Sequence, residues 1–336
     1  MSHADLTGDE AAALRESVQT SIARLGDAEA VADNIGALDL FNEALPALAV
    51  FFEEFGRHHL VSTLIDALVA HTLGLESAAV AYALPRCGIA DPPGAIRGGS
   101  SLRVDAVLRA PGPLPSKAVV SLEEGATVVP VSQLRTTAAA GFDRDGTWQR
   151  IHGELPEAEV TSIDATDWAR AVALARVSLG SEILGVAIEI NAIAIEHVTA
   201  RHQFGKPLGS FQTVRHRLAE AHVAIQAAQT LLNLGWTAAA TNTVTANDVA
   251  VYAVAAKAAA GRAFESASRT ANQVCGGLGL TAEHSLPVLV RRGSALNVLL
   301  GDPTDLTAAI GHALCAAHPM PLNDPLVSHD DRVGAH

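Results

Sequence analysis

The stretch Arg201-His202-Gln203-Phe204-Gly205-Lys206-Pro207-Leu208, followed by Phe211-Gln212-Thr213, breaks a long apolar helix with a Gly/Pro turn and opens another helix behind it. Upstream, Asp164 and Thr166 offer N-caps to a helix over about 166–199, which sets Leu179, Ile183, Val186, Ile190 and Ile193 on one face. Leu184, Ile188 and Ile195 are apolar on another face, so burial on more than one side is expected. Downstream, the periodicity predicts helices over about 211–240, 246–275, 286–299 and 304–317. A series of this kind is a helical bundle. The turn itself gathers a guanidinium, an amide, an aromatic ring and a fresh helix N-terminus, a set suited to a pyrophosphate and a flat ring. The plainer alternative is a polar interhelical turn whose arginine is solvated.

Towards the N-terminus the texture changes twice. Residues 1–80 read as a helical domain, with Leu14, Val18 and Ile22 at four-residue steps and Phe51, Phe55, Leu64, Ile65 and Leu68 following. Residues 81–157 are crowded with Pro85, Pro92, Pro93, Pro111, Pro113, Pro115 and Pro130, and carry short β-like runs at 102–108, 118–122 and 127–131. This is a small β domain, too short for a large barrel. Residues 158–318 form the bundle and 319–336 a polar tail. The expected class is α+β: N-terminal helices, a reduced middle β domain and a C-terminal four-helix bundle.

The bulk composition narrows the partners. Hydrophobic residues make up 49% of the 336 and charged residues 18%, which fits a soluble globular chain, and the formal net charge is −13. Such a surface repels nucleic acid and anionic membranes, so neither is an expected partner. A phosphate-bearing cofactor stays open, because local arginines and helix N-termini override the mean field. Cys87, Cys275 and Cys315 fit no CxxC pattern and read as free thiols. With no signal-like start and no charge-free stretch long enough to span a bilayer, a cytoplasmic location is expected. His58-His59 and the pair His197 and His202 lack metal-ligand spacing, so no metal is expected.

The stretch at 201–213 resembles the acyl-CoA dehydrogenase signature R-x-Q-F-G-x-P-(I/L), which leads into F-Q and a helix, here with Leu218-Ala219-Glu220 intact. A second block, Gln273-Val274-Cys275-Gly276-Gly277-Leu278-Gly279-Leu280-Thr281 with Glu283 and Arg291 beyond it, is similar to the Q-x-x-G-G-x-G-(F/Y) loop of that family. Glu53-Glu54-Phe55-Gly56-Arg57 is a third, weaker match. The resemblance covers the C-terminal half well, the N-terminal helices loosely and the middle poorly. It implies FAD as cofactor, held across a subunit interface. Carried over residue by residue, Arg201, Gln203, Phe204 and Gln212 would approach its pyrophosphate and adenosine part, while Gln273, Gly276 and Gly277 would line adenine and ribose.

The same resemblance leaves gaps. Where relatives carry T-E-P-x-x-G-S-D, this chain reads Tyr82-Ala83-Leu84-Pro85-Arg86-Cys87-Gly88, and no W-I-T strand follows. The two family positions for the catalytic glutamate fall on Leu300 and Ala175, neither of which accepts a proton. Asp302 and Glu182 are the nearby fallbacks, with helix-end and surface roles expected for both; Arg291-Arg292 is expected to be a solvated face or an ion pair. The implied molecule is the shortened subunit of a heteromeric acyl-CoA dehydrogenase, expected to be inactive alone and joined to a full-length partner in an α2β2 assembly like those of steroid degradation. Its substrate would be a bulky acyl-CoA ester, with electron-transfer flavoprotein among the candidate partners. A homomeric enzyme with a non-standard base and a non-catalytic scaffold are the alternatives.

Overall fold

Helix α6 (Ala165–Ala200) is the axis of the molecule in a computed structural model that describes residues 8–139, 141, 143–241, 246–281 and 284–315. From Ala171 to Ala187 it is buried almost without a break, as its several apolar faces require. By length and composition alone α6 could cross a membrane, contrary to the expectation of no such stretch, but 89% of its most apolar window is buried inside the fold. Its apolar surface serves the core. α7 (Gln212–Ala240) and α8 (Ala246–Cys275) pack along it, while α9 (Leu286–Asn297) lies on α6 and α10 (Pro303–Cys315) lies on α8. The tail from 319 and the far end of the last expected helix lie outside the described residues.

Five helices precede the sheet: α1 (Gly8–Leu25), α2 (Ala28–Ile35), α3 (Leu40–Glu43), α4 (Leu48–Arg57) and α5 (Leu64–Thr72). The Glu53-to-Arg57 stretch acquires a physical reason where α4 crosses α6. A methyl group on Gly56 would overlap the Glu182 carbonyl oxygen, and one on Gly185 would overlap that of Glu53. Two glycines therefore let the backbones touch. Beside them Glu54 is fully buried and takes hydrogen bonds from Arg15 and, at 3.0 Å, from Gln19.

Eight strands among the described residues form one sheet in the order β6-β7-β3-β1-β4-β5-β8, with β2 pairing β3. They are β1 (Ala79–Ala83), β2 (Ala95–Gly98), β3 (Ser101–Arg109), β4 (Lys117–Ser121), β5 (Ala126–Pro130), β6 (Arg135–Ala138), β7 (Trp148–Pro156) and β8 (Thr161–Ile163). The three expected β runs are β3, β4 and β5, the apolar centre of the sheet. Of the additional strands, β1 is buried and central, whereas β2 and β6 expose most of their residues and β7 interleaves Gln149, Arg150 and His152 with buried Ile151. β1 runs parallel to β4 and antiparallel to β3. All three cysteines are free thiols, with only Cys275 buried.

Where α5 meets β1, Asp66 accepts a 2.9 Å hydrogen bond from Val80 N. Burial pushes its carboxyl up to about 7, against smaller opposing effects from that hydrogen bond and from Arg109. The folded-state value exceeds the unfolded one, so the unfolded chain holds fewer protons between them and stability falls as pH rises across that window. Urea melts should show Asp66→Asn gaining on the wild type from the usual 3.8 up to about 7, by as much as about 4 kcal/mol. A constant difference with pH would refute the buried-carboxyl reading. At the crossing, Gly56→Ala should destabilise by upwards of about 3 kcal/mol, because the methyl meets backbone that has no rotamer to yield.

Candidate functional site

The turn after α6 is a small hairpin. β9 (His202–Gln203) pairs antiparallel with β10 (Lys206–Pro207), and Phe204 and Gly205 form its tip with φ of 56° and 79°. Two left-handed residues at a two-residue tip match the hairpin twist, but the first is normally Asn or Gly; a phenylalanine there is strained. Its ring is 87% exposed, edge-on to Phe211 at 6.0 Å, and Lys206 Nζ lies 4.3 Å over Phe211. Leu208 N donates to Arg201 O at 2.8 Å and closes the turn. Arg201, Gln203 and Gln212 are exposed. The Arg201 side chain makes no hydrogen bond or ion pair among the described residues.

At the end of α8, Gly276 adopts a φ of 58°, and an added Cβ on Gly276 or Gly277 would meet nothing within 4 Å. Gln273, Gly276 and Gly277 are all exposed. His197, on the last turn of α6, joins this region to the hairpin: after burial, the nearby charges of Arg201 and His284 hold it below its ordinary value. Both sequence blocks thus lie at one end of the bundle, facing outward. Glu283 lies outside the described residues.

Leu300 follows α9 with a φ of 54°, and Gly301 continues at 107°. Their carbonyls are held by buried cations: Arg176 Nε donates to Leu300 O at 3.0 Å, and Lys257 Nζ donates to Asn297 O at 2.5 Å and to Gly301 O. Burial, then Arg176, lowers Lys257 to about 7. Arg176 also pairs with Asp91. A cavity of about 470 Å³ lies here, lined by Pro85, Cys87, Ser121, Trp168, Leu300 and Asp302 among others. Ala175 is buried within α6. Asp302 has the expected helix-end role, accepting from Thr304 N at 2.8 Å.

Glu182 departs from expectation. It is not at the surface but 2% exposed, gripped by Arg109 at 2.9 and 2.5 Å and by Arg292 at 2.8 Å. Arg292 also donates to Asp143 at 3.2 Å, and Asp143 accepts from Trp148 Nε1 at 3.2 Å. Arg292 is therefore in a buried ion pair rather than on a solvated face. Burial alone would raise the Glu182 carboxyl, but the two guanidiniums outweigh it and hold the group below its ordinary range. A carboxylate so held is a poor proton acceptor. His59, Asp143 and Asp145 bring potential metal-ligand atoms within 4.8 Å of one another, but Asp143 is already committed to Arg292 and Trp148.

Residues 168–310 match the family model described as acyl-CoA dehydrogenase, C-terminal domain. That match covers less than half of the chain. Acyl-CoA dehydrogenase IpdE2 of Mycobacterium tuberculosis is 31% identical over 132 residues, which are 39% of this chain and 39% of that protein. Its namesake from Mycolicibacterium smegmatis is 28% identical over 157 residues, 47% of each chain. The matched stretch thus spans less than half the length of these curated relatives. In fold the likeness extends much further. A chain of the ChsE4-ChsE5 complex from Mycobacterium tuberculosis superposes with a TM-score of 0.74 at 17% identity, covering 92% of this chain and 98% of the other. A variant of the steroid ACAD Tcur3481-Tcur3483 gives a TM-score of 0.74 at 21% identity with the same coverage. The whole chain has the acyl-CoA dehydrogenase fold, including the β region that the sequence matched poorly.

Glu182→Gln should test the buried cluster. Leaving two guanidiniums without their anion should cost about 3–5 kcal/mol of stability, read as a lowered urea midpoint. A variant with unchanged stability but abolished turnover would instead mark Glu182 as a base.

Proposed function

We propose that this chain is the shortened subunit of a heteromeric FAD-dependent acyl-CoA dehydrogenase, contributing FAD contacts but no catalytic base. The observation that carries the reading is an asymmetry. The residues matching the family's FAD contacts stand exposed and, among the described residues, make no side-chain ion pairs, while the two base positions hold Leu300 and Ala175.

The residues fit one half of a dinucleotide site. Arg201 is free to meet a phosphate with charge-assisted hydrogen bonds, and Gly276 and Gly277 leave room for close backbone approach. Phe204 offers a ring face at a strained tip. The other half is less suited: the cavity beside Leu300 has the size of a small ligand rather than an extended dinucleotide, and Arg176 ties its walls together through Asp91 and Leu300. FAD, when bound, would supply a hydride acceptor for the substrate β-carbon; the α-proton needs a carboxylate, and the two positions that the resemblance assigns to it hold Leu300 and Ala175. A full-length partner subunit would supply both the remaining flavin pocket and the glutamate. The pairing of such chains in the ChsE4-ChsE5 complex, and the word steroid in the description of the Tcur3481-Tcur3483 enzyme, support a heterotetramer acting on a bulky ring-bearing CoA ester, a step taken by analogy of fold.

Purified alone, the chain should be colourless and inactive; co-expressed with its partner it should give a yellow complex that desaturates an acyl-CoA. Stoichiometric flavin and turnover in the lone chain would sink the proposal. In the complex, Arg201→Ala should lower flavin occupancy, measured by absorbance per protomer, by about tenfold at limiting FAD. Full occupancy would remove the hairpin from the site.

A further inference from the structure

A cavity of about 710 Å³ opens between α2, α5 and the loop joining β3 to β4. Its volume is in the range of small-molecule sites. We propose that it binds an organic cation, an ammonium or guanidinium on an apolar stem, through the carboxylate of Asp66.

Asp66 lines the cavity and is only 7% exposed. One oxygen, Oδ1, accepts from Val80 N; Oδ2 receives no hydrogen bond among the described residues. The neighbouring cation, Arg109, is already committed to Glu182 through both terminal nitrogens. A desolvated carboxylate with an open oxygen is costly unless a positive partner reaches it. The remaining lining selects for such a partner. Asp27, Glu29 and Glu76, with Asp66 itself, outnumber Arg109 on the lining, which disfavours anions, while Phe41, Leu38 and Leu75 supply apolar wall. The Phe41 ring packs at 5.6 Å against His71, so it is held in place to meet an apolar stem or a cationic head. A bare metal ion is less suited, because the cluster of potential metal ligands among the described residues is at His59, Asp143 and Asp145, outside this cavity.

Proton and cation compete for the same carboxylate. Arg109 on β3 favours its ionised form, Glu29 on α2 opposes it, and burial leaves it titrating at about 7. Tyr82 on β1 also faces it and stays neutral, being pushed up by burial first and then by Asp66 itself. Affinity for a cation is therefore highest above that titration and declines below it.

Calorimetry on the full-length chain, about one pH unit above the Asp66 titration, distinguishes the outcomes. Phenethylamine is the probe and phenethyl alcohol its neutral counterpart. The amine is expected to bind saturably, at least about tenfold tighter than the alcohol, and to weaken about tenfold or more in Asp66→Asn. The asparagine keeps an oxygen for Val80 N, and a melting scan checks that the variant is folded. Glu76→Gln, at the rim, serves as a second variant and is expected to weaken the amine about twofold to fivefold. Equal binding of amine and alcohol, no binding of the amine, or unaltered binding in Asp66→Asn would overturn the proposal. Repeating the titration on the complex with a partner subunit identifies the natural source of the cation: retained binding points to a free amine, and blocked binding to a lysine or arginine side chain of the partner. The site does not rest on the dehydrogenase reading and fails or stands independently of flavin content.

Discussion

A single buried carboxylate, Glu182, ties the β region of this chain to its C-terminal bundle. It sits on the central helix, and its partners come from β3 and from α9, the elements that flank it on either side. Taking three charges out of water is expensive, and the arrangement is tolerable only because each oxygen is matched by a guanidinium hydrogen bond. Loss of any member would strand the others. The energetic gain over an apolar core of the same volume is small by this reasoning, so the cluster specifies geometry more than it adds stability. A carboxylate locked between two arginines is also unsuited to removing a substrate proton.

The glycine crossing of α4 and α6 performs the complementary task on the helical side. Gly56 and Gly185 let two backbones approach to a distance no other residue permits, which sets α4 against the very turn of α6 that carries Glu182. Close packing there and ion pairing beyond it define one rigid interior. Against that interior, the bundle end stands out by contrast, with a strained Phe204, an unpaired Arg201 and an open Gly276-Gly277 ledge. Strain and unmet polarity on a rigid support are what a site completed by another molecule requires.

The C-terminal end of α9 follows the same logic. Lys257 and Arg176 satisfy carbonyls that a helix end leaves without partners, and they hold Leu300 and Gly301 in left-handed conformations. At Leu300, one of the two positions that the sequence resemblance assigns to a base, the turn is elaborate while the side chain it presents is aliphatic.

The amino-acid sequence by itself determined the helical bundle, the central strands β3, β4 and β5, the two family blocks and the absence of an acid at Leu300 and Ala175. These depend on local periodicity, on glycine and proline positions, and on residue identity at motif spacing, all of which are read along the chain. The flanking strands β2, β6 and β7 escaped because they have no apolar alternation to announce them; only pairing makes them strands, β2 and β7 with β3 and β6 with β7. Only the tertiary structure decided that Glu182 and Arg292 are buried, because their partners lie 73, 110 and 149 residues away in sequence and burial of a charge is a property of what folds over it. The outward-facing hairpin and the Asp66 cavity were decided in the same way, by which surfaces the packing of α6 left uncovered.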